Sequence, residues 1–164
     1  MPDVPNKQGM IAPNMTQLLK LAALDGADLE VVSAHCQDAV LKSAEVNFSP
    51  SAKRLLLPIN RFAWEAPASR RWFFKKYERR RSVLHIDLAS SVRSKGLNKT
   101  DLEEVRSILS IDFHGDEDEN SAGGTVDIVF AGGANLLVEV EALEVRLTDL
   151  GAVWAANSKP RHKI

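Results

Sequence analysis

The chain has 164 residues, 45% of them hydrophobic and 26% charged, with a formal net charge of -1. This is the size and composition of one soluble globular domain, and it excludes a mainly disordered chain, which would be poorer in apolar residues and further from neutrality. Near-neutrality also excludes a global field drawing the protein to nucleic acid or membrane, and a lone cysteine, Cys36, excludes an internal disulfide or a multi-thiolate zinc site.

The first fifteen residues contain Pro2, Pro5, Pro13 and Gly9 but no apolar run of the kind a secretory signal needs. No later stretch approaches the length of a membrane span. The cytoplasm is therefore the expected location. Residues 1–16 predict a disordered leader, 17–155 a single α+β domain, and 156–164 a flexible basic tail.

Leu19, Leu21 and Ala23 alternate with Lys20 and Ala22 as in a short strand. A helix follows. Asp25 is its predicted cap, Asp28 and Glu30 place negative charge at the positive end of the dipole, and Leu29, Val32, Cys36 and Val40 fall on one face. Its predicted end is near Val40. Period-two alternation from Val40 to Phe48, a turn at Ser49-Pro50-Ser51-Ala52, and the series Leu55, Leu57, Ile59 predict a hairpin. Pro58 removes a ladder donor and predicts a sheet edge or a bulge.

Residues 65–81 read as a long connection. Leu84, Ile86 and Leu88 then predict a strand, Gly96 and Asn98 a break, and Thr100 to Glu103 a helix start with a capping-box spacing. Leu109, Ile111 and Phe113 predict the next strand, His114 to Gly124 an acidic turn, and Val126, Ile128 and Phe130 another strand. Gly132-Gly133 is a tight hairpin turn into a strand bearing Leu136, Val138 and Val140. Leu143, Leu147 and Leu150 predict a short amphipathic helix closed by Gly151. The expected architecture is a mainly antiparallel sheet, bent or closed as a small barrel or sandwich, with one helix near the N-terminus and one after the last strand. That order resembles the pleckstrin-homology-like barrel, an analogy of element order that carries no function.

The most distinctive stretch is Arg70-Arg71-Trp72-Phe73-Phe74-Lys75-Lys76-Tyr77-Glu78-Arg79-Arg80-Arg81, with seven cations against Glu78, a local formal +6. Cations bind phosphates and release counterions, and aromatic rings stack on unpaired bases. Arg70, Arg71, Trp72, Lys75, Lys76, Tyr77, Arg79, Arg80 and Arg81 are the candidate binding residues for RNA, single-stranded DNA or an acidic protein partner. The plain alternative is a solvated loop whose aromatics dock on its own domain, with Asp116 to Glu119 as an internal counterweight.

Catalytic signals are weaker. His35 and Cys36 are adjacent on a helix, so their side chains diverge by about 100° and cannot act as a base and nucleophile pair. His85 and Asp87 share a strand face, and with His114 they form an acid–base or metal set only if the strand register brings them together. No dinucleotide fingerprint, Walker-type loop or zinc motif occurs. No catalytic residue, cofactor or metal is assigned. A non-catalytic binding or accessory module is the leading expectation. A small-molecule enzyme using His85 and Asp87, and an oligomer-forming protein pairing through an edge near Pro58, are the alternatives.

Leu24-Asp25 with Asp28-Leu29, Val32-Ser33-Ala34-His35, Gln37-Asp38-Ala39-Val40, Asn60-Arg61-Phe62 with Trp64, the Arg79-Arg80-Arg81 run entering Leu84-His85, and Val129-Phe130-Ala131-Gly132-Gly133 carry a family likeness. Over about residues 18–155 the chain resembles the alphaproteobacterial family catalogued as domain of unknown function 2948. The resemblance implies a bacterial cytosolic protein and transfers no catalytic residue.

Overall fold

The computed structural model describes residues 18–65, 79–97, 100, 101 and 103–151. The predicted leader, the predicted tail, Asn98 and six of the nine candidate binding residues (Arg70, Arg71, Trp72, Lys75, Lys76, Tyr77) lie outside them.

Among the described residues ten strands form a continuous antiparallel sheet. They are β1 (Lys20–Ala23), β2 (Val40–Lys42), β3 (Asn47–Ser49), β4 (Arg54–Phe62), β5 (Arg79–Asp87), β6 (Ala89–Lys95), β7 (Val105–Gly115), β8 (Gly124–Phe130), β9 (Asn135–Val140) and β10 (Val145–Asp149). Their order is β1-β10-β5-β4-β2-β7-β8-β9-β6, with β3 also paired to β4. The antiparallel, mainly β expectation holds, and the sheet does not close into a barrel.

The helix α1 (Gly26–Cys36) starts where the sequence predicts, with the Asp25 carboxylate accepting the Asp28 N–H at 2.8 Å. Leu29, Val32 and Cys36 are buried against the sheet. It ends four residues before Val40, because Gln37 turns extended and Asp38 takes φ 66° to donate its N–H to the Ile108 carbonyl at 2.8 Å. Val40 instead opens β2.

Three other expectations change. Leu143 to Leu150 holds the strand β10, not a helix, because both edges of that segment find partners, β5 on one side and β1 on the other. A terminal helix of the pleckstrin-homology-like kind would have to follow β10, beyond Gly151, where the chain lies outside the described residues. Among the described residues, Thr100 to Glu103 forms no helix: Asp101 instead makes a local turn, its carboxylate accepting the Glu103 N–H at 3.1 Å. Residues 79–81 belong to β5 rather than to the connection.

Pro58 is not at an edge either. β4 runs between β5 on one side and β2 and β3 on the other. On the second side the pairing stops at Leu56 and resumes at Asn60, since the 3-10 turn Ser43–Glu45 separates β2 from β3. Pro58 sits in that gap, where a missing donor breaks no ladder on that side. The edge expected near Pro58 is therefore an interior gap in the pairing, with β3 on one side of it and β2 on the other.

Local irregularities shift the phase of the strands. In β7 the register shifts between Ile108 and Ser110, so Leu109 is an extra residue and is 47% exposed while Ile108 and Ile111 are both buried. The Ser33 hydroxyl of α1 takes up the Ile111 N–H beside the bulge at 2.9 Å. Between β5 and β6, Leu88 adopts φ 57°, and Asp87 and Ala89 on either side of it are both buried. The phases of these strands therefore slip where the sequence reads continuous alternation.

Candidate functional site

Three neighbouring strands point apolar side chains inward and then switch to polar ones at the same end. On β4 the series is Leu55, Leu57, Ile59, Arg61; on β5 it is Ile86, Leu84, Ser82, Arg80; on β10 it is Val145, Leu147, Asp149. The register aligns them: Ile59 with Ser82 with Asp149, and Arg61 with Arg80. Directly paired residues share a face. The inner face of the sheet therefore ends in a charged cluster.

Arg61 is its centre and is fully buried. Its Nε and Nη2 donate to the two carboxylate oxygens of Asp149, both at 2.9 Å. Its Nη1 and Nη2 donate to Glu65 at 3.0 and 2.7 Å, and Nη1 also reaches the Phe62 carbonyl at 3.1 Å. Arginine suits this position because a planar fork meets two carboxylates in two-point fashion. Asp149 is saturated in turn, accepting the Ser82 hydroxyl at 2.6 Å, the Leu19 N–H at 2.9 Å and Arg80 Nη1 at 3.3 Å.

Burial alone would raise the Asp149 and Glu65 carboxyls, but the Arg61 guanidinium bonded to each holds both below the usual carboxylate range. Burial would likewise discharge Arg61, and its bonds to Glu65 and Asp149 keep it firmly protonated. Beside the cluster, burial pushes the Cys36 thiol up to about 12, so it carries no thiolate at neutral pH. His35 aims its Nδ1 at the Val31 carbonyl, 2.8 Å away, and its Nε2 lies 3.9 Å from Glu65. Among the described residues, the two carboxylates of the cluster are tied to Arg61 and its thiol is inert.

The cluster does hold the base of the basic segment. Phe62, the last residue of β4, is paired with Arg79, the first of β5, and the Arg79 guanidinium lies over the Phe62 ring, 4.6 Å from its centroid. Phe62 also packs on Trp64 at 5.1 Å, and the Trp64 indole N–H donates to the Gln37 carbonyl at the end of α1. Of the three candidate binding residues that are described, Arg79 is thus stacked, Arg80 bonds Asp149 and lies 3.6 Å from Glu65, and Arg81 donates to Glu45 at 2.9 Å.

The alternative His85, Asp87 and His114 set does not assemble. His85 and Asp87 share the outer face of β5, as predicted, but His114 lies on β7 opposite Thr125, in the other half of the sheet. Asp87 is clamped by Arg54 at 2.5 Å and Arg146 at 2.9 Å, and these bonds overcome its burial to hold its carboxyl low. Burial, reinforced by Arg146, keeps His85 below its ordinary value. Among the described residues no three His, Cys, Asp or Glu side chains converge to hold a metal.

Sequence reasoning does not find the Arg61 cluster, although its signal is there. Continuing each inward apolar series in steps of two reaches Arg61 on β4, Ser82 and then Arg80 on β5, and Asp149 on β10. Three charged residues on core positions of three strands can be tolerated only if they meet.

Residues 19–162 match the family model described as protein of unknown function (DUF2948). The chain belongs to that family. The match spans all ten strands, and Arg61, Ser82, Arg80 and Asp149 lie inside it. For this DUF2948 protein no curated protein and no solved structure matches. Among the described residues no helix is long and apolar enough to cross a membrane.

Proposed function

We propose that this DUF2948 protein is a non-catalytic binding module whose basic and aromatic segment meets single-stranded nucleic acid, RNA or DNA. The supporting observation is the position of that segment in the chain. Residues 66–78 are inserted between Glu65 and Arg79, next to the paired ends of β4 and β5, where Arg61 bonds both Glu65 and Ser82 of β5. Anchored ends lower the ordering cost of a binding segment. Arg70, Arg71, Lys75 and Lys76 neutralise phosphates, and Trp72 and Tyr77 supply stacking surfaces. Arg80 and Arg81 serve mainly to fasten the segment, since each bonds an acidic side chain of the fold. We infer a bacterial cytoplasmic setting from the family likeness, with a lone thiol in keeping with it.

The test is fluorescence anisotropy of a labelled oligo-uridine and an oligo-thymidine across a salt series. Reversing Arg70, Arg71, Lys75 and Lys76 to Glu leaves the Arg80 and Arg81 pairs intact. Every phosphate that is no longer neutralised lowers the salt slope by about 0.7, so removing four cations flattens it by about 3. Unchanged affinity, or tight binding of a polyglutamate probe with none of either oligonucleotide, overturns the nucleic-acid reading; the second result assigns an acidic protein partner instead.

A further inference from the structure

On the opposite face of the same strands lies a second charged group. Arg54 stands directly across from Asp87, and His85 directly across from Arg146, with His85 and Asp87 two residues apart on β5. One carboxylate serves both guanidiniums. Asp87 Oδ1 accepts from Arg54 Nε and Oδ2 from Arg146 Nη2. Arg54 therefore uses only its Nε, and among the described residues both of its terminal amino groups and Nη1 of Arg146 have no protein acceptor. The two side chains are 45% and 42% exposed, whereas that of Asp87 is 9% exposed.

The charges at bonding distance do not balance. Two cations share one anion, and the adjoining Lys53 is already paired with Glu141. The Glu144 carbonyl accepts the Asp87 N–H, but its carboxylate makes no ion pair with either arginine. Polar capacity also goes unused beneath the surface: His85 Nδ1 and Arg146 Nε are buried without a partner, on two side chains that face each other. The backbone holds the group firmly. Lys53 and Leu88, two of the three non-glycine residues with positive φ among the described residues, immediately flank Arg54 and Asp87.

We infer that Arg54 and Arg146, held apart by Asp87, form a binding site for a phosphate oxyanion on the outer face of β4, β5 and β10. Two guanidinium groups that share one carboxylate keep three terminal nitrogens without a protein acceptor among the described residues, and guanidinium N–H groups suit phosphate oxygens. Free phosphate and the phosphate of a nucleic-acid backbone offer the arginines the same chemistry. This inference does not depend on residues 70–81.

The test follows the arginine Nε and backbone amide resonances of the full isotopically labelled chain while inorganic phosphate is added at constant ionic strength. Saturable shifts confined to Arg54, Arg146 and the ends of β4 and β5, weakened at least about tenfold in R54K/R146K, support a site for free phosphate, because lysine keeps the charge and loses the fork. No response to inorganic phosphate, with the same shifts on adding a short oligonucleotide and their loss in R54K/R146K, assigns a backbone phosphate. Chloride producing the same shifts, or neither probe moving these resonances, overturns the site. An oligonucleotide that moves no resonance anywhere in the chain counts against the proposed function and leaves a phosphate response intact.

Discussion

Arg61 occupies a position that the pattern of β4 reserves for a hydrophobe, and its cost is met by partners from three separate stretches of chain: Glu65, Ser82 and Asp149. A buried ion pair is a weak source of net stability but a strong liability when broken, since the surviving charge stays buried alone. Replacing Arg61 by Leu is therefore expected to cost about 3–5 kcal/mol, while the double change Arg61→Leu, Asp149→Leu recovers most of that loss. Urea denaturation of the single and double variants at neutral pH measures the coupling, and simple additivity would show that the pair does not act as a unit. Arg61 is legible as an inward residue from Leu55, Leu57 and Ile59. Its partner is not, because nothing local ties residue 61 to residue 149.

Strand β7 shows how an element is decided. Its apolar residues Ile108, Leu109, Ile111 and Phe113 allow two phases, and alternation alone favours Leu109 with Ile111. The bulge resolves the choice for Ile108 and Ile111, and Ser33 from α1 satisfies the Ile111 N–H next to it. Ile108→Ala is expected to cost about 2–5 kcal/mol as a core truncation, and Leu109→Lys about 0.5 kcal/mol or less as a surface change. Thermal or urea melts of the two variants check this, and the reverse ranking would place Leu109 in the core. The spacing of Leu143, Leu147 and Leu150 is similarly ambiguous, since Leu143, Val145 and Leu147 also alternate. A run this short takes its form from its neighbours, here β5 and β1. By contrast the turn at Gly132-Gly133, both at φ 92°, is legible outright because few other residues reach that conformation.

Across the molecule the charged groups set the response to acid. Asp149, Glu65 and Asp87 bind protons less readily in the fold than in the unfolded chain, so their stabilisation is present above about pH 4 and is lost as the pH falls through their lowered values. His85 is also lowered, so the unfolded chain takes up a proton below about pH 6.5 while the fold resists it. Both effects weaken the fold as acid is added, the histidine first. Melting temperatures between about pH 7.5 and 3 should show a shallow decline starting near pH 6.5 and a steeper one below about pH 4. His85→Gln should remove the first and keep the second; an unchanged profile would mean that His85 titrates freely in the fold.

The order of apolar and polar residues by itself determined the antiparallel strands, the Asp25 cap, the glycine turn and the unusual charge of residues 70–81, because each depends on neighbours within a few positions. The tertiary structure decided where those strands slip phase, where in the ladder Pro58 is accommodated, and which charges meet. Those outcomes depend on pairings between distant segments, where burial makes an unmatched charge or donor costly and so selects the one register that satisfies it.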